Sequence, residues 1–301
     1  MMTSVVRLLI HPATWVCVLL AIAPSSSIID YQEEELERTE LEQKIVPWYA
    51  NSPGHTVFGE YVGAHWCGPC MSSASPSLDN LKTSNPEEFT FVSFFESSSG
   101  GWPSDGPINR QTHIMQSSSG YPTFSFADSQ SGSCYKVGAS GSNYYDSDFS
   151  SGGCMSSSSN DFQLEMSMSL NSSTEEVTIT LDSIYTGPLS SFEVYVYGAV
   201  TEKIGADSYD NGVKPHHNWR GWLLNSADSG FQQLTLSQGV WESHSWTAPL
   251  SLVRAGGGYT QWENFWPVFA LMDGPHSSYN EFLVAIDPDM GPMIDVGILE
   301  F

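Results

Sequence analysis

Apolar and polar positions follow two different rhythms in this chain, with the change near residue 160. Before it, Val57 to Val62 and Phe89 to Phe95 (Phe-Thr-Phe-Val-Ser-Phe-Phe) are short, nearly continuous apolar runs. Such runs, bounded by turn residues, read as strands buried on both faces. Met71 to Leu81 between them is compatible with a helix, as is Ile108 to Gln116, which precedes a third short strand at Phe124-Ser125-Phe126. Strands alternating with helices predict an α/β unit with helices on both faces of its sheet. Ser97 to Pro107, rich in Ser, Gly and Pro, reads as a loop.

After residue 160 the period becomes two. Phe162, Leu164, Met166, Met168 and Leu170 alternate, then Val177, Ile179 and Leu181, then Phe192, Val194 and Val196. Alternation of this kind means antiparallel strands with one buried face. Further candidates are Phe231 to Leu236, Phe265 to Met272, Glu281 to Ile286 and Met293 to Leu299, with turn signals such as Thr186-Gly187-Pro188 and Asp273-Gly274-Pro275 between them. About seven strands in this stretch predict a β-sandwich. At the other end, Arg7 precedes an apolar core from Ala13 to Ala23 that closes on Ala21-Ile22-Ala23, the pattern of a signal peptide; an uncleaved anchor is the alternative. Ile28 to Val46 sets Glu33, Glu34, Glu35, Glu37, Glu40 and Glu42 among Leu36, Leu41 and Ile45, an acidic helix ended by Pro47. The expected organisation is therefore a signal peptide (1–29), an acidic helical segment (30–46), an α/β domain (47–158) and a β-sandwich domain (159–301).

Composition narrows the partners. Across 301 residues, 34 acidic side chains stand against ten basic ones, a formal charge of -24. Phosphate and anionic lipid surfaces are bound by clustered Lys and Arg, so neither nucleic acid nor an anionic membrane surface is an expected partner. With Cys17 in the signal segment, four cysteines remain for a disulfide-permissive exterior. Cys67 and Cys70 are one candidate pair, which leaves Cys134 with Cys154. The latter reads as a structural staple across a Gly- and Ser-rich loop, and a second redox pair is the alternative.

The chemistry concentrates at His65-Trp66-Cys67-Gly68-Pro69-Cys70, where a strand leads into a helix. A thiol at a helix N-terminus faces unpaired N–H groups and the positive end of the helix dipole, which favour its thiolate. Cys67 is the candidate nucleophile, and Cys70, one turn further in, is placed to resolve a mixed disulfide on it. Three other readings compete: a zinc site, which would want a second ligand pair at metal spacing; a purely structural disulfide; and a redox domain that has lost its activity.

Trp66-Cys67-Gly68-Pro69-Cys70 is identical to the active-site motif of thioredoxins, and Gly120-Tyr121-Pro122-Thr123-Phe124 resembles the cis-proline loop of the same superfamily, about fifty residues downstream. The Tyr before that proline is closer to protein disulfide isomerases. The resemblance spans residues 46 to 160. It implies a thioredoxin-like fold for the α/β domain, a redox-active disulfide with no other cofactor and no metal, and a substrate chain received by Trp66, Gly68, Pro69 and Tyr121 beside Pro122. It also implies a buried carboxylate on the strand before the motif, relaying protons to the second cysteine. Glu60 is on that strand, but seven positions before Cys67, one more than usual, so the role requires a bulge near Gly63; otherwise Glu60 faces solvent at a strand end. His65 reads as an exposed loop residue.

Other candidates carry less. His216-His217-Asn218-Trp219-Arg220 with Trp222 lies in a long connection and reads as packing or as a partner site. Asp287-Pro288-Asp289 with Asp273 is a candidate calcium site, although the spacing matches no calcium loop. Trp241, Trp246, Trp262 and Trp266 read as core or as a sugar- or peptide-binding surface, and Asn171-Ser172-Ser173 is a glycosylation acceptor sequence. Phe301 resembles the terminal aromatic of outer-membrane barrels, but the strands for a barrel are not visible.

The expected function is an exported thiol–disulfide oxidoreductase acting on protein disulfides, served by a redox partner protein. The direction of its chemistry and its oligomeric state are left open. The alternative is a secreted or surface binding protein whose β-sandwich recognises a partner, with the cysteine domain as scaffold.

Overall fold

The computed structural model describes residues 48–51, 56–97, 108–115, 120–129, 132–155, 160–224, 231–274 and 282–290. The signal and acidic segments, the expected strand Met293 to Leu299 and Phe301 lie outside the described residues. The elements are β1 (Trp48–Asn51), β2 (Val57–Ala64), α1 (Ser75–Ser84), β3 (Phe89–Glu96), α2 (Ile108–Met115), β4 (Thr123–Phe126), β5 (Tyr135–Val137) and α3 (Asp146–Ser150). There follow β6 (Phe162–Asn171), β7 (Glu176–Tyr185), β8 (Ser191–Ile204), β9 (His216–Trp222), β10 (Phe231–Ser237), β11 (Trp241–Pro249), β12 (Phe265–Met272) and β13 (Phe282–Ile286). α1 is entered through a π-helical turn, Cys70–Ala74, in which the Ser75 N–H reaches back to the Cys70 carbonyl. Pro76, with no N–H of its own, follows where regular α turns begin.

The two apolar runs become β2 and β3, which are buried along nearly their whole length. They pair in parallel, without a break, from Val57 opposite Phe89 to Ala64 opposite Glu96. The period-two runs become β6, β7 and β8, with Leu164, Met166, Ile179, Leu181, Val194 and Val196 in one core.

The expected architecture, an α/β thioredoxin-like domain followed by an all-β sandwich domain, is not what the chain forms. The structure is mostly β, with few helices among the described residues. A mixed nine-stranded sheet runs β13-β12-β8-β9-β3-β2-β4-β5, with β10 paired to β8, and a four-stranded sheet runs β1-β6-β7-β11. Strands from both sides of residue 158 share both sheets. β9 lies parallel to β3, with Ser93 opposite Asn218, and β1 lies antiparallel to β6, with Trp48 opposite Met168. The physical reason lies in β3. A strand apolar on both faces sits inside the protein, and its edge N–H and C=O groups need partners there. β9 provides them from the second half of the chain.

The nine-stranded sheet also coils. Phe58 on β2 and Phe282 on β13 are five places apart in strand order, which in a flat sheet is about 24 Å at ~4.8 Å per strand. Their rings are 4.4 Å apart, so strong twist brings the ends of the run together. The layer they share, with Val62, Val92, Trp219 and Trp266, draws on both halves of the chain. The opposite face of β2 and β3 packs against α1 through Tyr61, Phe89, Phe91, Leu78 and Leu81, around Cys67 and Cys70.

Four strands escaped the sequence reading, the short β1 and β5 and the longer β9 and β11. β9 (His-His-Asn-Trp-Arg-Gly-Trp) has no aliphatic alternation, yet His217, Asn218 and Trp219 are buried. β11 alternates between exposed and half-buried residues and pairs with β7 through its backbone, Trp241 opposite Ile184. Among the described residues no helix is long and apolar enough to cross a membrane.

Candidate functional site

Cys67 stands three residues past the end of β2, after the His65-Trp66 turn, and caps the helix that follows. Its carbonyl accepts the Met71 N–H at 3.2 Å, and its sulfur accepts the Cys70 N–H at 3.1 Å. That geometry follows from the sequence. Gly68 imposes no side chain, Pro69 has no N–H, and the first N–H in reach of a capping atom is therefore that of Cys70. The two cysteines are disulfide-bonded, with Cα atoms 5.2 Å apart. Cys67 keeps 6% of its surface and Cys70 none, whereas Trp66, Gly68 and Pro69 around them are exposed. Cys67 is thus the less buried of the two cysteines.

The second motif lies against the first. The Tyr121-Pro122 peptide bond is cis, and the Tyr121 ring meets the exposed Trp66 edge-on, 5.9 Å between centroids. The Tyr121 hydroxyl donates to Glu96 Oε2 at 2.7 Å. Burial, then this bond and the Glu96 charge, raise its pKa well above the usual phenol value. Glu96 ends β3 beside the motif, and its carbonyl accepts the His65 N–H at 3.0 Å. The sequence reading passed over Glu96, although an acid closing an otherwise apolar strand was a visible signal. His65 is half-buried, with its ring edge-on to Trp66 at 4.7 Å.

Glu60 is not beneath the cysteines. β2 keeps unbroken register with β3 through Gly63, so the bulge that the relay role required is absent. Without it, the seven-residue spacing places Glu60 with Phe58 and Val62 on the face away from α1, because a one-residue offset moves a side chain to the other side of a strand. There Glu60 is fully buried, and Arg110 Nε of α2 donates to its Oε1 at 2.9 Å. Arg110 Nη2 also donates to Asp128 Oδ1 at 2.9 Å, and His113 Nε2 lies 2.8 Å from the same oxygen. Burial raises the Glu60 pKa and the Arg110 charge opposes it. The guanidinium lies 5.6 Å from the ring centre of Phe231 and 5.7 Å from that of Phe282. Nothing in the sequence around Arg110 marked it as the centre of a buried ion network.

The residue six positions before Cys67 is Tyr61, and it faces the cysteines' layer. A Cβ on Gly63 would stand 2.5 Å from the Tyr61 hydroxyl oxygen, so Gly63 makes room for a tyrosine ring folded along the strand rather than for a bulge.

Cys134 and Cys154 form a second disulfide, Cα atoms 6.2 Å apart. Between them the chain is less polar in effect than its Gly and Ser content suggested. Tyr145 is fully buried, 4.7 Å from Phe124 between ring centres, and Lys136 Nζ bridges to Asp148 at 2.7 Å. Gly153, at φ +57, lies where a Cβ would strike Val57 at 2.2 Å, so this loop is pressed onto β2.

The remaining candidates disperse. Trp266 is buried, Trp246 and Trp262 pack on the core of the second half, and Trp241 is exposed, so the four form no common surface. Asp287 lies 2.7 Å from Lys82 Nζ, and Asp289 pairs with Lys203 at 3.5 Å. Among the described residues no three His, Cys, Asp or Glu side chains are grouped to hold a metal ion. Asn171 is exposed in the β6–β7 turn, where its Oδ1 accepts the Ser173 N–H at 3.0 Å.

No family model matches this chain, and no curated protein does. Among solved structures it is similar to HBP35 of Porphyromonas gingivalis, with a TM-score of 0.56 at 13% identity over 79% of this chain and 76% of that one. At this identity the likeness is one of fold alone. A β-glucosidase from Kluyveromyces marxianus matches 40% of this chain and 13% of its own at 13% identity, with a TM-score of 0.22 that carries no argument.

Proposed function

We propose that this chain is an exported thiol–disulfide oxidoreductase working through Cys67 and Cys70. One observation carries the reading: the less buried cysteine caps its own helix, its sulfur taking the Cys70 N–H at 3.1 Å, among exposed Trp66, Gly68 and Pro69. A backbone N–H and a helix N-terminus both favour a thiolate, the reactive form in exchange. The resemblance of Trp66–Cys70 and Gly120–Phe124 to thioredoxin and disulfide isomerase motifs supports the same chemistry, as does the second disulfide, a feature of oxidising compartments.

In the reducing direction the Cys67 thiolate attacks a substrate disulfide. One sulfur–sulfur bond forms on Cys67, and one substrate sulfur leaves as a thiolate. Cys70, having lost its proton, then attacks the Cys67 sulfur, and the second substrate sulfur leaves. Two electrons pass to the substrate and the cysteine pair becomes the disulfide. A partner dithiol returns it to the reduced form, and the oxidising direction is the same sequence reversed. The exposed Gly120, next to Tyr121 and Trp66, is where a substrate chain would lie.

The test is exchange with a model protein disulfide, using the full chain and a Cys67→Ser variant. Exchange that disappears in the variant supports the proposal. A wild-type chain with no exchange in either direction overturns it and favours a binding protein with a scaffold disulfide.

A further inference from the structure

The β8–β9 connection, 140 residues beyond the cysteines, reaches back to hold their loop. Tyr209 is 2% exposed. Its hydroxyl lies 3.0 Å from that of Tyr61, and its ring meets Phe95 edge-on at 4.9 Å between centroids. Its hydroxyl lies beside Ser75, whose N–H binds the Cys70 carbonyl. The next residue, Asp210, donates its N–H to the His65 carbonyl at 3.0 Å. Two consecutive residues thus grip both flanks of Trp66 to Cys70. A tight turn presents them: the Gly212 N–H binds the Tyr209 carbonyl at 2.8 Å, and the Tyr209 N–H binds that of Val213 at 2.9 Å, with Gly212 at φ +83.

We infer that Tyr209 and Tyr61 are a positioning pair for the cysteine site, through which the second half of the chain sets the redox equilibrium of Cys67 and Cys70. The inference rests on the redox reading above. Tyr61 occupies the strand position that faces the cysteines, and both tyrosines share one buried layer with Cys67 and Cys70. A neutral hydroxyl pair there does not repel a buried thiolate, as a carboxylate would, and it sets polar groups rather than two phenyl rings beside the loop that carries the sulfurs. The other titratable groups beside the pair are Asp79 of α1 and Tyr145. Asp79 is engaged by His216 Nδ1 at 2.9 Å. The consequence is a reduced form held more stable than the same site would allow without the hydroxyls.

In reduction, two glutathione thiols give up two electrons and two protons and become glutathione disulfide, while the Cys67–Cys70 bond breaks to two thiols. The full chain is equilibrated in glutathione buffers, and peptide-resolved thiol trapping reads the reduced fraction of this pair separately from Cys134 and Cys154. Tyr209→Phe should shift the equilibrium constant ~10-fold toward the disulfide, which is about 30 mV for a two-electron couple. Tyr61→Phe should do the same, and the double variant should exceed neither by much. Tyr145→Phe, which removes a buried hydroxyl with no partner, should leave the constant unchanged. A lowered melting temperature with an unmoved constant in Tyr209→Phe overturns the inference. If that variant does not fold, Tyr61→Phe decides by the same reading. The equilibrium is measured whether or not the chain acts on a substrate, so an inactive wild type with a shifted Tyr209→Phe constant would remove the proposed function and leave the positioning pair standing.

Discussion

Adjacent residues of β2 enter two chemically different interiors. Glu60 points into a layer that buries charge with countercharge: Arg110, Asp128 and His113 lie within 3 Å steps of one another. Tyr61 points into the layer around the cysteines, where the polar groups nearest it, its own hydroxyl and that of Tyr209, form a neutral pair. There Tyr61 meets Tyr209, and His217, stacked on Phe91 at 4.6 Å, lies with Nδ1 3.1 Å from the Phe91 carbonyl. Burial, then the charges of Lys82 and His216, lower the His217 pKa to about 3. The difference shows how a strand separates two tasks. A buried carboxylate beside the sulfurs would disturb their titration, whereas on the far face it is neutralised by its own arginine and serves as an anchor between β2, α2 and the end of β4.

The largest effect expected to sharpen this contrast comes from Arg110→Ala. It leaves Glu60 buried without its partner, which costs ~3–5 kcal/mol. Urea unfolding should show that loss while the folded protein keeps its Cys67–Cys70 equilibrium; an equilibrium that moved with it would mean that the two layers are coupled. Next, Cys134→Ser should lower stability by ~3 kcal/mol, from the chain entropy of a loop of this length, with exchange retained. Loss of exchange at unchanged stability would make the second pair redox-active.

Gly63→Ala comes third. The new Cβ displaces the Tyr61 hydroxyl end, and overpacking of this kind costs ~1–3 kcal/mol. Its distinguishing outcome is a redox shift in the same direction as Tyr61→Phe. The pH dependence of stability gives a smaller effect. His217 stays neutral in the folded chain down to about pH 3, but it protonates near pH 6.5 when unfolded. Its folded pKa is depressed, so its contribution is fully present above about pH 6.5 and is lost as pH falls from there toward 3, at up to ~1.4 kcal/mol per pH unit. His217→Asn, which tolerates the φ of +50 at this position, should flatten that slope in acid titrations of unfolding. The smallest effect belongs to Glu60→Gln: on the far face, it should leave the alkylation rate of reduced Cys67 unchanged across pH, and a displaced rate profile would restore the relay role.

Much of this could be read along the chain because it is local. Cys67, Gly68, Pro69 and Cys70 define a capped helix start within four residues, and the apolar runs at Val57, Phe89 and Phe162 mark strands by composition and period. The misses have different causes. β9 was hidden because its burial is carried by His217, Asn218 and Trp219, which no apolar template counts. Arg110 was hidden because an arginine on a polar helix reads as solvated until a carboxylate is known to lie beneath it.

The sequence alone marked the strands that carry apolar runs or a period of two, the capped helix start at Cys67 and the deeper place of Cys70, since periodicity, capping and missing N–H groups act over a few residues. Only the tertiary structure decided that both halves of the chain share their sheets, that Glu60 faces Arg110, and that Tyr209 and Asp210 hold the cysteine loop. Strand edges are made of backbone, which is the same for every residue, so no side chain states that β3 pairs with β9 or β6 with β1. The face a strand residue takes depends on register, and a single residue of register, at Gly63, separates an ionic anchor from a neighbour of the cysteines.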